Sequence, residues 1–482
     1  MRASSSIALA VVLLALGAAV IVYVATRPNG TTGPADAGVP ERASEHDAGA
    51  AEGPAARPDI LLFTIDTLRA DHVGSYGYRR DTTPTIDAVA ARGTRFTRAY
   101  STSNWTVPAM ASLVTGLIPS EHGVVHALLQ PDGRVQHELL SSTLPTFAQT
   151  LHDVGYRTVG ITANGNLAPE LGYGRGFDVY RNVGFHDTDV VRPAVVTELE
   201  ALRDSPEPYL LWVHVMDPHP PYTPIEPQFT AFSPPGRTRI AALDAMLMPT
   251  QLQAIARREN IPILDALDYV VTAYDSEVRE VDDYLEELVT TLDDGNLAIV
   301  ITSDHGEEFG DHFGMSHGAT LFEEVVHVPL VLSVPGRTPS VSPGIVSIVD
   351  VLPTLAELAD APAPARSAGR SLLPATRGVA LPTTRDLVLE AGQLQSLDAL
   401  IDGHYEYGER TRPRPIALLF DLDNDPTELH ACQDVHPEVA TAMRTRLHAA
   451  LEEAARFRPE IETTTTEIPP EVRAQIQAQL AH

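Results

Sequence analysis

Four short stretches of this chain set carboxylate, imidazole or hydroxyl groups where chemistry is commonly done. Asp66 follows the apolar run DILLFTI, and Asp304 and His305 follow the run LAIVIT with a tight Gly306 behind them. Asp217 and His219, in MDPHPPY, come directly after YLLWVHV, while Thr106 lies in STSNWTVPAMASLVTG two residues ahead of Pro108. Carboxylate oxygens and imidazole nitrogens together suit a hard or borderline divalent cation. Thr106 stands where a helix should start: Pro108 fits a first turn that needs no N–H, and Ala109 to Leu113 propagate it. The predicted helix begins near Pro108. Its N-terminus offers unpaired N–H groups and partial positive charge, which stabilise a phosphate, a sulfate or an ionised hydroxyl. Taken singly, a Thr before a Pro is an ordinary cap and an Asp-His pair is an ordinary loop feature. Their meaning depends on the elements that gather them.

The runs DILLFTI, YLLWVHV and LAIVIT read as strands buried on both faces. In open parallel sheets ligands collect at the carboxyl ends of the strands, and the polar clusters fall there. Further strands are predicted at 158–162, 328–334 and 345–349, and helices at 84–92, 143–152 and 353–358. Over 265–292 the apolar residues Leu267, Val271, Tyr274, Val278, Val281, Leu285 and Leu288 keep helical spacing with acids between them, predicting a long amphipathic helix. Strands alternating with helices call for the α/β class, with a mostly parallel sheet covered on both faces. Residues 223–262 lose any period and read as an insertion over the core. After Arg385 come short alternating strands at 404–407 and 417–421 and a helix over 438–456, which predicts a catalytic domain at 58–384 and a smaller α+β subdomain at 385–482.

The 482 residues are enough for one large α/β domain with an appendage. A formal net charge of −30 argues against nucleic acid as a partner and against docking on anionic lipid through a basic face. All 34 basic side chains other than histidine are Arg, and the single Cys432 excludes an intrachain disulfide or a Cys-cluster metal site. Residues 7–25 are uninterrupted apolar or small, with Arg2 before and Arg27 after, and as a helix would extend roughly 28 Å. They predict a membrane anchor with the catalytic domain on the extracytoplasmic side, the alternative being a cleaved signal and a secreted or periplasmic protein. Residues 26–57, rich in Pro, Gly, Ala and Ser, predict a disordered tether.

Longer strings carry a family likeness. DILLFTIDTLRADHVGSYGY, WTVPAMASLVTGLIPSEHG, GYGRGFDVY, VHVMDPHPPY, AYDSEVREVDDYLEEL, TSDHGEEFGDHFGMSHG, SIVDVLPTL and LLFDLDNDPTEL occur in the order found in the sulfatase branch of the alkaline phosphatase superfamily, covering residues 58 to about 455. The chain resembles that family. The resemblance implies a three-layer sandwich around the central sheet, and one divalent metal, calcium or manganese rather than zinc, held by Asp66, Asp304 and His305 and touching Thr106 as nucleophile. It further implies that His219 and His317, of the GMSHG string, bind the ester anion or protonate the leaving oxygen. Asn164 is a candidate substrate contact or a turn residue. The expected partner is a small sulfated or phosphorylated ester.

The chain also departs from the family pattern. Most sulfatases carry a Cys, oxidised to formylglycine, in a C-x-P-S-R string; here Thr106, Pro108, Ala109 and Met110 stand in those places, and formylglycine cannot form from Thr. The family's anion-binding lysines have no counterpart, and Asp66-Thr67 replaces an acidic pair. A sulfated Thr must be resolved by water attacking sulfur, whereas a phosphorylated Thr is resolved by in-line attack at phosphorus. Three readings follow: a sulfate or phosphate ester hydrolase, a phosphoryl transferase or phosphodiesterase of the same superfamily, and a catalytically silent anion-binding member. Asp217 with His219 or His317 leaves a second metal open.

Overall fold

Alternation of buried side chains on one strand sets the layers. In β1 (Asp59–Ile65), Leu61, Phe63 and Ile65 face one side and Ile60 and Leu62 the other, all fully buried. The first set packs with α2 (Thr188–Arg203) and α3 (Ile263–Leu292); the second packs with α1 (Thr106–Thr115) and α4 (Val351–Leu358). A strand covered on both faces must be apolar throughout, which is why DILLFTI shows no alternation. The result is a three-layer α/β/α sandwich. This computed structural model describes residues 57–244, 249–392, 396–411 and 414–467. The apolar run at 7–25 and the tether at 26–56 lie outside the described residues, among which no helix is long and apolar enough to cross a membrane.

The remaining strands of the central sheet are β2 (Thr94–Tyr100), β3 (Arg157–Thr162), β4 (Val179–Asn182), β5 (Tyr209–Val215), β6 (Leu297–Ser303), β7 (Leu330–Ser333) and β8 (Ser340–Ser347). They are ordered β8-β2-β7-β6-β1-β5-β3-β4. Only β7 runs against its neighbours; every other pairing is parallel, so seven carboxyl ends lie along one edge. β1 sits between β5 and β6 in register, with Ile65 opposite Val215 and Ser303. Asp66, the 216–219 segment and Asp304-His305 therefore leave the sheet side by side.

Several boundaries differ from expectation. α1 starts at Thr106 rather than near Pro108, because Trp105 is the extended residue before it (φ −163°, ψ 162°). Pro108 then falls inside the first turn, where a missing N–H costs nothing. The helix expected over 143–152 begins at Phe147, since Thr146 is extended and accepts a 3.1 Å bond from Gln149 N as its cap. The strand expected over 345–349 extends back to Ser340, pairs with β2 across an irregularity between Ser342 and Ile345, and gives way to a helical turn at Ile348–Asp350. The unpatterned 223–262 segment holds three short helices, Gln228–Phe232, Ala241–Asp244 and Pro249–Arg258.

Beyond the main sheet, β9 (Leu387–Ala391), β10 (Leu397–Ile401), β11 (Tyr405–Arg410) and β12 (Ile416–Asp421) form an antiparallel sheet. Val388, Leu400, Tyr407 and Leu419 meet Met443 and Leu447 of α5 (Pro437–Ala455), while Leu389, Ile401 and Phe420 face Val325 and Val326. Strand Thr463–Thr466 pairs antiparallel with Val135–Glu138, which in turn pairs with Ala127–Leu129.

Candidate active site

The loops leaving β1 and β6 are sewn to each other before they offer anything to a ligand. Asp304 Oδ1 accepts from Thr67 N at 3.2 Å and His305 N at 2.9 Å; Ser303 Oγ accepts from Leu68 N at 3.0 Å and donates to His305 O at 2.6 Å. His305 Nδ1 lies 2.9 Å from Gly306 O and donates to it, which leaves Nε2 with its lone pair. The atoms not consumed by this stitching point to one place. Asp66 Oδ1, Asp304 Oδ2 and His305 Nε2 lie within 4.8 Å of one another, on residues that are fully buried, and none has a hydrogen-bond partner. Three buried acceptors without a donor cost free energy unless a cation sits among them. The residues fit a divalent metal.

Thr106 completes this cradle from the start of α1. Its Oγ1 lies 3.5 Å from Asp66 Oδ2 and 3.3 Å from Asn164 Nδ2, and Asn164 Nδ2 also donates to Asp66 Oδ2 at 3.0 Å. Asn164 is fixed on every side: its N donates to Gly184 O (2.6 Å), its O accepts from Asn182 Nδ2 (2.9 Å) and its Oδ1 accepts from Asn166 N (3.1 Å). These bonds hold it at φ 77°, a left-handed conformation unusual for a side-chain-bearing residue. Thr67 (φ 58°) and Ser316 (φ 69°) share that conformation, each next to a site residue. Asn164 is thus both turn residue and site residue.

The histidines form a row. The His317 ring centroid lies 4.4 Å from that of His305 and 5.0 Å from that of His219. His219 Nδ1 donates to Pro220 O at 2.8 Å, and His317 Nδ1 lies 3.2 Å from Glu307 Oε1. Burial, then repulsion from His305, pushes His317 down to about 3. Burial likewise lowers His219, although the Asp66 charge opposes it. Burial thus disfavours the charged form of both rings. The carboxylates split: burial and the neighbouring charge of Asp66 raise Asp304, while Asp66, despite its own burial, is held well below the carboxylate range by His214, His219 and His305.

All eight expected positions are accounted for, but not all meet. Asp66, Thr106, Asn164, Asp304, His305, His317 and His219 converge. Asp217 does not join them at metal-binding spacing: its Oδ2 accepts Thr188 N at 2.7 Å, at the first turn of α2. Among the described residues, the Asp66, Asp304 and His305 set is the one cluster of His, Cys or acidic side chains with metal-binding spacing.

Two participants were not expected. His214 sits within β5, where its Nδ1 meets Thr64 Oγ1 at 3.0 Å and its unpartnered Nε2 lies 3.6 Å from Asp66 Oδ2. A lone histidine in an otherwise apolar central strand was the available signal. Glu307, fully buried against His317 and raised by burial to about 7, carried no signal beyond its place after DHG.

The comparisons with known proteins bear on this arrangement. A family model described as Sulfatase matches residues 58–361. The chain belongs to the sulfatase family. Arylsulfatase A of Bos taurus is 27% identical over 470 residues, covering 84% of this chain and 90% of that protein. The multifunctional alkaline phosphatase superfamily protein PehA of Trinickia caryophylli is 25% identical, covering 66% and 77%. In fold, the phosphonate monoester hydrolase of Agrobacterium radiobacter matches with a TM-score of 0.64 at 20% identity, covering 83% of this chain and 96% of that one. A 2-O glycosaminoglycan sulfatase matches with a TM-score of 0.66 at 20% identity, covering 86% and 96%. Sulfatase-family membership places the protein among hydrolases of sulfate or phosphate esters, a metal-dependent class.

Proposed function

We propose that this sulfatase-family protein cleaves small sulfate or phosphate esters through Thr106, with a divalent cation, calcium or manganese, held by Asp66, Asp304 and His305. The observation that carries the reading is the convergence of three unpartnered buried metal-ligand atoms beside a hydroxyl oriented by Asp66 and Asn164. When bound, the cation lowers the pKa of the Thr106 hydroxyl and offsets charge on the ester oxygens. Thr106 Oγ1 attacks phosphorus or sulfur, losing its proton to water, while the first-turn N–H groups of α1 and Asn164 Nδ2 stabilise the charge that develops. The anionic ester raises the neighbouring imidazoles, and His219 or His317 then gives its proton to the departing alcohol oxygen. In the second half-reaction the same imidazole takes a proton from the attacking water, and Thr106 leaves with its proton restored. Water attack on a phosphorylated Thr is the easier of the two resolutions, so the Thr favours phosphorus where the family name suggests sulfur.

Hydrolysis of matched aryl sulfate, phosphate monoester and phosphate diester by the full chain, with added calcium, manganese or zinc and beside Thr106→Ala, tests the reading. Activity on one ester class that disappears in the variant supports it. Equal inertness of both proteins on all three esters overturns it in favour of a silent anion-binding member. We further propose that residues 7–25 anchor the protein with the catalytic unit on the extracytoplasmic side; retention in membranes through alkaline extraction supports this, and an N-terminus beginning beyond residue 25 overturns it.

A further inference from the structure

Next to His219 a cavity of about 310 Å³ opens outward from the site, large enough for a small ligand. Its charged wall is of one sign. Asp187, Asp189, Asp217, Glu277 and Glu280 line it, with no arginine among the lining residues. Glu280 already has a partner, Arg192, at 2.6 Å, and Asp217 holds Thr188 N. Glu277 differs: it is 4% exposed, its Oε1 accepts Thr223 N, and its Oε2 is buried with no partner at all. Thr188, 1% exposed, stands in the same wall with its hydroxyl directed to the Asp217 carboxylate. Burial raises Glu277 well above the carboxylate range, and the charges of Asp217 and Asp187 add to it. A wall of this kind lacks a donor and a positive charge.

We infer that this cavity receives the alcohol half of the ester and selects alcohols carrying an ammonium group, whose N–H donors reach the Glu277 carboxylate in the field of Asp217. The inference rests on the ester-hydrolase reading, because His219 joins the cavity to the reacting centre. N–H donors fit better than a fully alkylated cation, since the unmet atom, Glu277 Oε2, is a hydrogen-bond acceptor. Phe185 contributes an aromatic ring to the same wall, against which a cation or a ring can lie.

Two phosphate esters that differ only at the far end separate this inference from the reading beneath it: 4-(aminomethyl)phenyl phosphate and its 4-ethylphenyl isostere, with the matching sulfates alongside. Binding of each to full-chain Thr106→Ala, followed by calorimetry, needs no turnover. We expect the ammonium ester to bind at least about tenfold more tightly, equivalent to about 1.4 kcal/mol. In Thr106→Ala/Glu277→Gln the two esters should bind within about twofold of each other. Equal or weaker binding of the ammonium ester, or binding of neither, overturns the inference. A retained preference with no cleavage of any ester by the wild type sinks the hydrolase reading alone. Should Glu277→Gln fail to fold, Asp187→Asn/Asp189→Asn at the exposed rim should still narrow the preference, and an unchanged preference there counts against it.

Discussion

The cradle around Thr106 and the cavity beside His219 share a wall but are built differently. In the cradle, Asp304 Oδ1, His305 Nδ1 and Asn164 Oδ1 are tied to backbone, and three metal-ligand atoms stay free in one place. In the cavity, five carboxylates share one wall, from the exposed Asp187 and Asp189 at the rim to the buried Glu277. A constellation that must be correct to within tenths of an ångström is held by main chain, which side-chain substitution cannot move. A surface that chooses among alcohols is made of side chains, which substitution changes freely. Chemistry and choice are thereby separable.

The severest way to break the contrast is Thr106→Ala, which should lower kcat by about a thousandfold or more while leaving ester binding in place; a residual rate near wild type would remove the nucleophile. Asp304→Asn should next remove metal binding. Wild type should gain about 2.7 kcal/mol of stability at a hundred times Kd of the divalent cation, seen as a higher Tm, and the variant should gain none; thermal melts with and without chelator read this directly. Asn164→Gly keeps the left-handed backbone and deletes the amide, so kcat/KM should fall about 10- to 100-fold. Asn164→Ala should lose the same activity and melt lower, because Ala pays for φ 77°.

The smallest effect belongs to the cavity wall. Burial raises Asp217 to about 6 from an unfolded value of 3.8, so the stability it contributes is full below pH 3.8 and lost as pH rises through 6. Asp217→Asn stays neutral and can still accept Thr188 N. Its stability should match wild type near pH 4 and exceed it above pH 7 by about 1–2 kcal/mol, after allowance for solvent at the cavity mouth, with Tm moving in the same sense. Differential scanning calorimetry across that range checks the sign, and an ammonium ester bound to wild type should shrink the gap.

Much of the cradle could be read from the chain because its chemistry follows abruptly on apolar strands. Asp66 and Asp304-His305 each end a run with no other polar reason to be there, and a parallel sheet brings such ends together. Thr106 could be placed because Pro108 marks a helix start, although the boundary itself moved by two residues. The sulfatase pattern supplied His219 and His317, whose neighbourhood depends on loops no periodicity describes. His214 was hidden inside a strand that looked wholly structural. Asp217 shares a cavity wall with His219, but adjacency along the chain does not reveal that its Oδ2 turns to Thr188 N at the start of α2. The cavity was invisible for the same reason: its acids come from the segments around residues 187, 217 and 277, joined only by packing.

Strand Thr463–Thr466 completes its small sheet against Val135–Glu138, and His137 Nε2 lies 2.9 Å from Thr466 Oγ1 across 329 residues of chain. On a ribosome adding 5–20 residues each second, the earlier strands wait roughly 16–65 s for that partner. Through this interval the outer edge of Val135–Glu138 carries unpaired N–H and C=O groups, open to any extended segment nearby. A nascent chain released before residue 463 should therefore aggregate more readily than the full chain.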